Sequence, residues 1–145
     1  MVAEKTLNSL LVELFKDIME IEEKKLITEE FRDITYNDMH VIEAIGLEDS
    51  KKMSQIAKLM SVTMGTLTKA VDSLCDKGYV ERKRSRRDKR VVLVRLTERG
   101  VKAYHHHETF HKEMISHILE EIDEEESKVL ITTLSRLVDY FREKY

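Results

Sequence analysis

Apolar residues recur at intervals of three and four along the start of the chain. Leu7, Leu10, Leu11, Leu14, Ile18 and Ile21 form one stripe, and Phe15 and Met19 widen it beyond a single face. This spacing predicts a helix over about 4–26. A second helix begins after Thr35, which has an acid, Asp38, placed to complete a capping pair. It runs through Met39, Ile42 and Ile45 and stops at Gly46. Ser54 is expected to cap a short third helix over 55–60. Thr63 caps a fourth, with Leu67, Ala70, Val71 and Leu74 inward and Gly78 as its stop.

The period then changes from helical to alternating. Val92, Val94 and Leu96 alternate as a half-buried strand requires, so 79–84 and 90–96 read as a two-stranded hairpin. Thr97 caps a long fifth helix to about Leu119. The last helix starts near Asp123 and carries the stripe Leu130, Leu134, Leu137 and Phe141 to the end of the chain. The acidic run around it suggests a metal or acid–base site at first sight. Asp123 with Glu126 makes a capping pair, and acids at a helix start favour the macrodipole, so the run reads as a helix beginning.

Composition agrees with a mainly helical fold. The 145 residues include no Pro and four Gly, too little turn chemistry for an all-β sandwich. No apolar run has the roughly 18 residues of a membrane span, and the first residues lack a secretory pattern, so a cytoplasmic protein is expected. Cys75 is the single cysteine and permits no internal disulfide. Its neighbour Asp76 disfavours the thiolate, so an inert thiol is expected rather than a redox sensor.

Charge changes the picture more. The formal net charge is −3, yet the segment from Lys77 to Lys102 holds eleven bases against three acids, a local +8. The remainder is strongly acidic. A basic block on an acidic body suggests a local site for a polyanion. Its surroundings are a helix, a short helix, the turn Met60-Ser61-Val62-Thr63, a helix and a basic hairpin. That is a helix-turn-helix with a β-wing: mainly α, six helices and a two-stranded wing. Such a helix presents its N-terminal side chains to base edges in the major groove. Thr63, Gly65, Thr66, Thr68 and Lys69 lie on the first two turns, away from Leu67 and Val71. Gly65 is costly in a helix, and close approach of a phosphate or base would explain it. At the wing tip, Arg84, Arg86, Arg87, Asp88, Lys89 and Arg90 are expected to meet DNA, with Asp88 pairing with Arg90 to aim its guanidinium into the minor groove. Lys69 and the other wing bases would contact phosphates.

These residues resemble the MarR family of winged-helix repressors. The likeness rests on Ile56-Ala57-Lys58-Leu59-Met60, Thr66-Leu67-Thr68-Lys69, Lys77-Gly78-Tyr79-Val80-Glu81-Arg82, Asp88-Lys89-Arg90 and Leu96-Thr97-Glu98-Arg99-Gly100. It covers roughly residues 5–145. The family wing carries Asp-Arg-Arg, and this chain has Lys89 in the middle place. The resemblance implies one domain over 1–145. Its DNA-binding core would span about 35–98, with dimerisation helices at about 4–26 and 97–145. It also implies a homodimer on a pseudo-palindromic operator. The wide apolar stripes of the first and last helices point to a dimer independently.

Within the family, Phe31-Arg32-Asp33-Ile34, Asp38-Met39-His40, Gly65-Thr66-Leu67-Thr68 and Phe110-His111-Lys112-Glu113-Met114 look like the repressors of bacterial fatty-acid synthesis. That branch implies an acyl chain on acyl carrier protein as corepressor. Its pocket would lie between the first, second and fifth helices, with Leu11, Phe15, Met39, His40, Ile42, His107, Phe110, His111 and Met114 as candidates. The apolar members serve equally well as plain core.

On the fifth helix, Tyr104, His107, His111, Met114 and Ile118 share a stripe, while His105 and His106 are expected to face solvent. His107 and His111, four apart, make a plausible zinc half-site that His40 with Glu20, Glu22 or Glu23 would complete. A zinc-responsive regulator of the same fold is therefore the alternative. An enzyme is not expected, since no phosphate-cradling Gly loop or nucleophile–base pattern is present. A non-specific helical interaction module would bind without distinguishing sequences.

Overall fold

The computed structural model describes residues 2–26, 28 and 30–145. These form six helices and three strands: α1 (Val2–Leu26), α2 (Tyr36–Ile45), β1 (Lys51–Lys52), α3 (Met53–Met60), α4 (Met64–Asp76), β2 (Val80–Arg84), β3 (Val92–Leu96), α5 (Glu98–Glu121) and α6 (Glu124–Lys144). Two compact units divide them. The first extends through Glu108, and the second is Thr109–Tyr145. Among the described residues, no helix is long and apolar enough to cross a membrane.

Local chemistry sets the helix boundaries. Asp38 N donates to Thr35 Oγ1 at 3.0 Å and Thr35 N donates to Asp38 Oδ2 at 3.1 Å, a complete capping box at the start of α2. Asp123 and Glu126 form the same box before α6. Gly46 ends α2 at φ +71°, and Gly78 follows α4 at φ +87°, both in the left-handed region that glycine occupies without strain. The tight turn between α3 and α4 passes through Ser61, also left-handed.

The start of α3 differs from expectation. Ser54 does not cap α3. That helix starts one residue earlier, at Met53, with Lys52 as an N-cap that makes no side-chain bond. The reason is β1, which the pattern does not predict. Lys51 and Lys52 pair antiparallel with Val94 and Leu93 of β3, so the sheet has three strands in the order β1-β3-β2. Two lysines show no apolar alternation, and backbone pairing alone makes them a strand.

The core sits where α2, α3, α4 and the sheet converge. Met39, Ile42, Ile45, Ile56, Leu67, Val71, Leu74, Tyr79 and Val94 are almost wholly buried in it. The start of α5 closes the core with Ala103. A Cβ on Gly100 would come within 2.1 Å of the Tyr79 carbonyl oxygen, so helix and chain meet there too closely for any other residue. Tyr79 is tied down further. Its hydroxyl donates to Asp33 at 2.5 Å, and the Arg99 guanidinium lies 4.2 Å over its ring. Burial, and then the neighbouring Asp33 carboxylate, push the Tyr79 hydroxyl well above its usual range.

The apolar stripe of α1 stands largely exposed, Phe15 at 63%. In the second unit α6 buries no residue, and Leu130, Leu134, Leu137 and Phe141 all face out.

Candidate nucleic-acid interface

The wing is the β2–β3 hairpin, in register from Val80 opposite Leu96 to Arg84 opposite Val92. Its tip is held by side chains bonded to backbone. Arg84 Nη1 donates to the Lys89 carbonyl at 3.0 Å, Arg87 N to Ser85 Oγ at 3.3 Å, and Arg90 N to Asp88 Oδ1 at 3.0 Å. Asp88 therefore does not pair with the Arg90 guanidinium. It satisfies the backbone amide two residues on, the local bond that short acidic side chains make in turns. Arg84 is likewise engaged in bracing the loop.

The basic block is less uniform than its sequence suggests. Lys77 pairs with Asp38 at 2.7 Å, Arg82 with Asp72, Arg95 with Glu81, and Arg99 with Asp33 at 3.4 Å. These cations hold the fold. Arg86, Arg87, Lys89 and Arg90 are exposed at the tip, and among the described residues no carboxylate lies within ion-pair distance of them. The positive potential is thereby concentrated at the end of the hairpin.

The α4 helix supplies the second half of the surface. Thr63 is its N-cap, accepting from Thr66 N at 3.2 Å and donating to Thr66 Oγ1 at 3.0 Å. Thr68 donates to the Met64 carbonyl at 2.7 Å. Thr63, Gly65, Thr66, Thr68 and Lys69 are all exposed, while Leu67 and Val71 face the core. A Cβ on Gly65 would meet only Thr63 Oγ1, at 4.0 Å, so among the described residues no neighbour requires glycine there. Helix and wing share an open cleft of about 250 Å³ lined by Lys52, Met64, Thr68, Arg82 and Arg90 among others. Lys52 and Met64 were not among the expected contacts. Lys52 lies outside the basic block, and Met64 is a hydrophobic residue whose exposure the sequence does not signal.

Away from this surface, His107 of α5 is buried between two acids. Its Nε2 is 2.5 Å from Glu22 Oε1 of α1, and its Nδ1 contacts Glu43 Oε1 of α2. Burial alone would lower the His107 pKa. The bonds to Glu43 and Glu22 outweigh it, and the pKa is raised above its ordinary value. An acid on each nitrogen favours the protonated ring. His40 Nδ1 lies 3.8 Å from Glu43 Oε2, and its ring meets Tyr36 edge-on at 4.4 Å. Burial, then Glu22, raises the Tyr36 pKa as well.

The other expected pocket residues differ in burial. Met39 and Ile42 are core, and Leu11 and Phe15 are exposed on α1. Phe110 is buried and His111 and Met114 are half-buried in the second unit. His105 is exposed as expected, but His106 is half-buried, its Nε2 2.8 Å from the Lys25 carbonyl and its ring 5.2 Å from Phe31. Cys75 is half-buried, and burial pushes its thiol pKa up, in keeping with an inert role.

A helix-turn-helix whose second helix starts exposed beside a cationic hairpin defines the winged-helix class of regulators. The sequence profile described as Transcriptional regulator SarA/Rot matches residues 22–107. The chain belongs to that family, among the MarR-type winged-helix regulators. It is 32% identical over 94 residues to the HTH-type transcriptional regulator BilQ of Clostridium symbiosum, covering 64% of this chain and 65% of that one. It is 38% identical over 68 residues to the multiple antibiotic resistance protein MarR of Salmonella typhimurium, covering 47% of each. The matched stretches span about half to two thirds of such curated relatives. Streptococcus pneumoniae FabT, solved in complex with DNA, superposes with a TM-score of 0.92 at 35% identity, covering 98% of this chain and 99% of that one.

Proposed function

We propose that the chain is a sequence-specific repressor that binds a pseudo-palindromic operator as a homodimer. The observation that carries this reading is the cleft shared by the exposed start of α4 and the hairpin tip, where Arg86, Arg87, Lys89 and Arg90 meet no counter-charge among the described residues. The likeness to a DNA-bound relative over nearly the whole chain supports it. In this docking Thr63, Gly65, Thr66, Thr68 and Lys69 face the major groove. The tip arginines reach the minor groove and flanking phosphates, while Arg84 and Asp88 keep the tip in shape.

The exposed apolar stripes of α1 and α6 support association with a second copy, since surfaces of that kind mark protein interfaces. Two recognition helices about one duplex turn apart would then read two half-sites.

The regulated genes in this proposal are those of fatty-acid synthesis, with an acyl chain presented by acyl carrier protein as corepressor. Support comes from the sequence resemblance to such repressors and from the FabT likeness. A corepressor acts by binding one dimer geometry more tightly than another. The test is footprinting upstream of the protein's own gene and adjacent lipid-synthesis genes, with and without long-chain acyl carrier protein. A protected palindrome whose affinity rises with the acylated carrier is expected. Protection indifferent to it removes the corepressor.

A zinc-responsive regulator using His40, His107 and His111 is the second reading. The observation favouring it is that His40 and His107 both reach Glu43, and His107 also reaches Glu22, a set of donors that zinc accepts. Metal analysis of protein purified without nickel resin, followed by zinc titration of operator binding, separates the two. No saturable zinc removes this reading.

A further inference from the structure

Of the side chains that read bases by paired hydrogen bonds, the leading turns of α4 hold Lys69 alone. From Thr63 to Lys69 there is no Arg, Asn, Gln or His. The hydroxyl protons of Thr63 and Thr68 are already occupied, one on Thr66 Oγ1 and one on the Met64 carbonyl. Beside the Thr66 hydroxyl and the Lys69 ammonium, the surface left to meet a base is carbon: threonine methyls, the bare Cα of Gly65 and the Met64 side chain.

Met64 is the unusual member. It occupies the first position of α4, is 47% exposed, and lines the cleft together with Thr68, Arg82 and Arg90. A large thioether among cations and hydroxyls contributes nothing to the core and stands where a groove floor would come. Gly65 beside it has open space where a side chain would be, which lets the helix lie closer to whatever it meets. The apolar feature of the major groove is the thymine C5-methyl group, which distinguishes T from every other base there.

We propose that Met64 is a specificity-determining residue that reads thymine methyl groups in the operator half-site. This rests on the repressor reading above and adds the base and the atom it recognises. Methionine suits the task because its unbranched, polarisable chain adapts to a methyl surface.

The test uses the full chain and duplexes selected with it from a random pool. Each thymine of the selected half-site is replaced singly by deoxyuridine, which keeps every hydrogen-bonding group and removes only the methyl. One or two replacements are expected to weaken binding about fourfold each, the factor for uncovering one buried carbon. Met64→Leu retains the difference between thymine and uracil. Met64→Ala abolishes it, with the thermal midpoint and the salt dependence unchanged because the residue is exposed and touches no phosphate. Uracil duplexes that bind as tightly as thymine ones, or discrimination that survives in Met64→Ala, overturn the inference while leaving the repressor reading intact. A pool that fails to converge on any sequence overturns the repressor reading itself.

Discussion

His107→Ala removes the cation from between Glu22 and Glu43 and leaves Glu22, 4% exposed, as a buried carboxylate. Tyr36 remains beside it as a hydroxyl partner, a poorer one than an imidazolium. Stripping one member from a buried ion pair costs about 3–5 kcal/mol, chiefly for the charge left behind. For a chain of this size that lowers the thermal midpoint by roughly 10 °C, measured by calorimetry at fixed protein concentration. Glu22→Gln in the His107→Ala background should recover much of the loss, with a coupling of about 2 kcal/mol between the two sites. The pH dependence has a definite sign. The folded pKa of His107 is raised, because Glu43 and Glu22 together outweigh burial. Its stabilisation is thus complete below the unfolded value near pH ~6.5 and fades as pH rises through the folded value. The gap between wild type and His107→Ala should narrow on the alkaline side. Strictly additive single effects, or a gap that widens with pH, would refute the reasoning.

Other outcomes follow from the same geometry. Arg90→Ala and Lys69→Ala should each weaken operator binding in gel-shift titrations without loss of helix content. Arg90→Ala should cost more on A·T-rich flanks, and each lost phosphate contact should reduce the salt slope by about one. Asp88→Ala should also weaken binding although it removes an acid, because the tip loses its bond to Arg90 N; tighter binding would show that its charge matters more than its bond. Gly100→Ala should destabilise by about 1–3 kcal/mol in urea unfolding, since its Cβ has no room against the Tyr79 carbonyl. Leu134→Asp should yield monomers in sedimentation and weaken operator binding together; an unchanged dimer would place the interface elsewhere.

Much of the fold is legible because its signals are local. The capping boxes at Thr35 and Asp123, the inward face of α4 and the alternation of β3 each lie within a few residues. What escapes the pattern depends on distant partners. β1 exists because β3 offers Lys51 and Lys52 backbone groups to pair with, and no property of two lysines announces that. The role of Asp88 turned on which nitrogen of Arg90 it meets, a matter of loop geometry. The zinc alternative offered Glu20, Glu22 or Glu23 without choosing among them, and the packing of α1 on α5 brings Glu22 to His107. Glu43 was not nominated at all, since the pairing of α2 with α5 is written in tertiary structure. Met64 was not nominated either, since an exposed position for a hydrophobic side chain is set by packing and not by its type.

The short β1 strand has a mechanical consequence. It runs without interruption into α3 and is bonded to the same strand that carries the wing. Lys51 also donates from its Nζ to the Ala44 carbonyl near the end of α2. Hairpin, turn and reading helix are thereby riveted into one tool head with a fixed gauge. A ligand bound elsewhere would have little leverage on the distance between its prongs, and would act by steering where the whole head is carried.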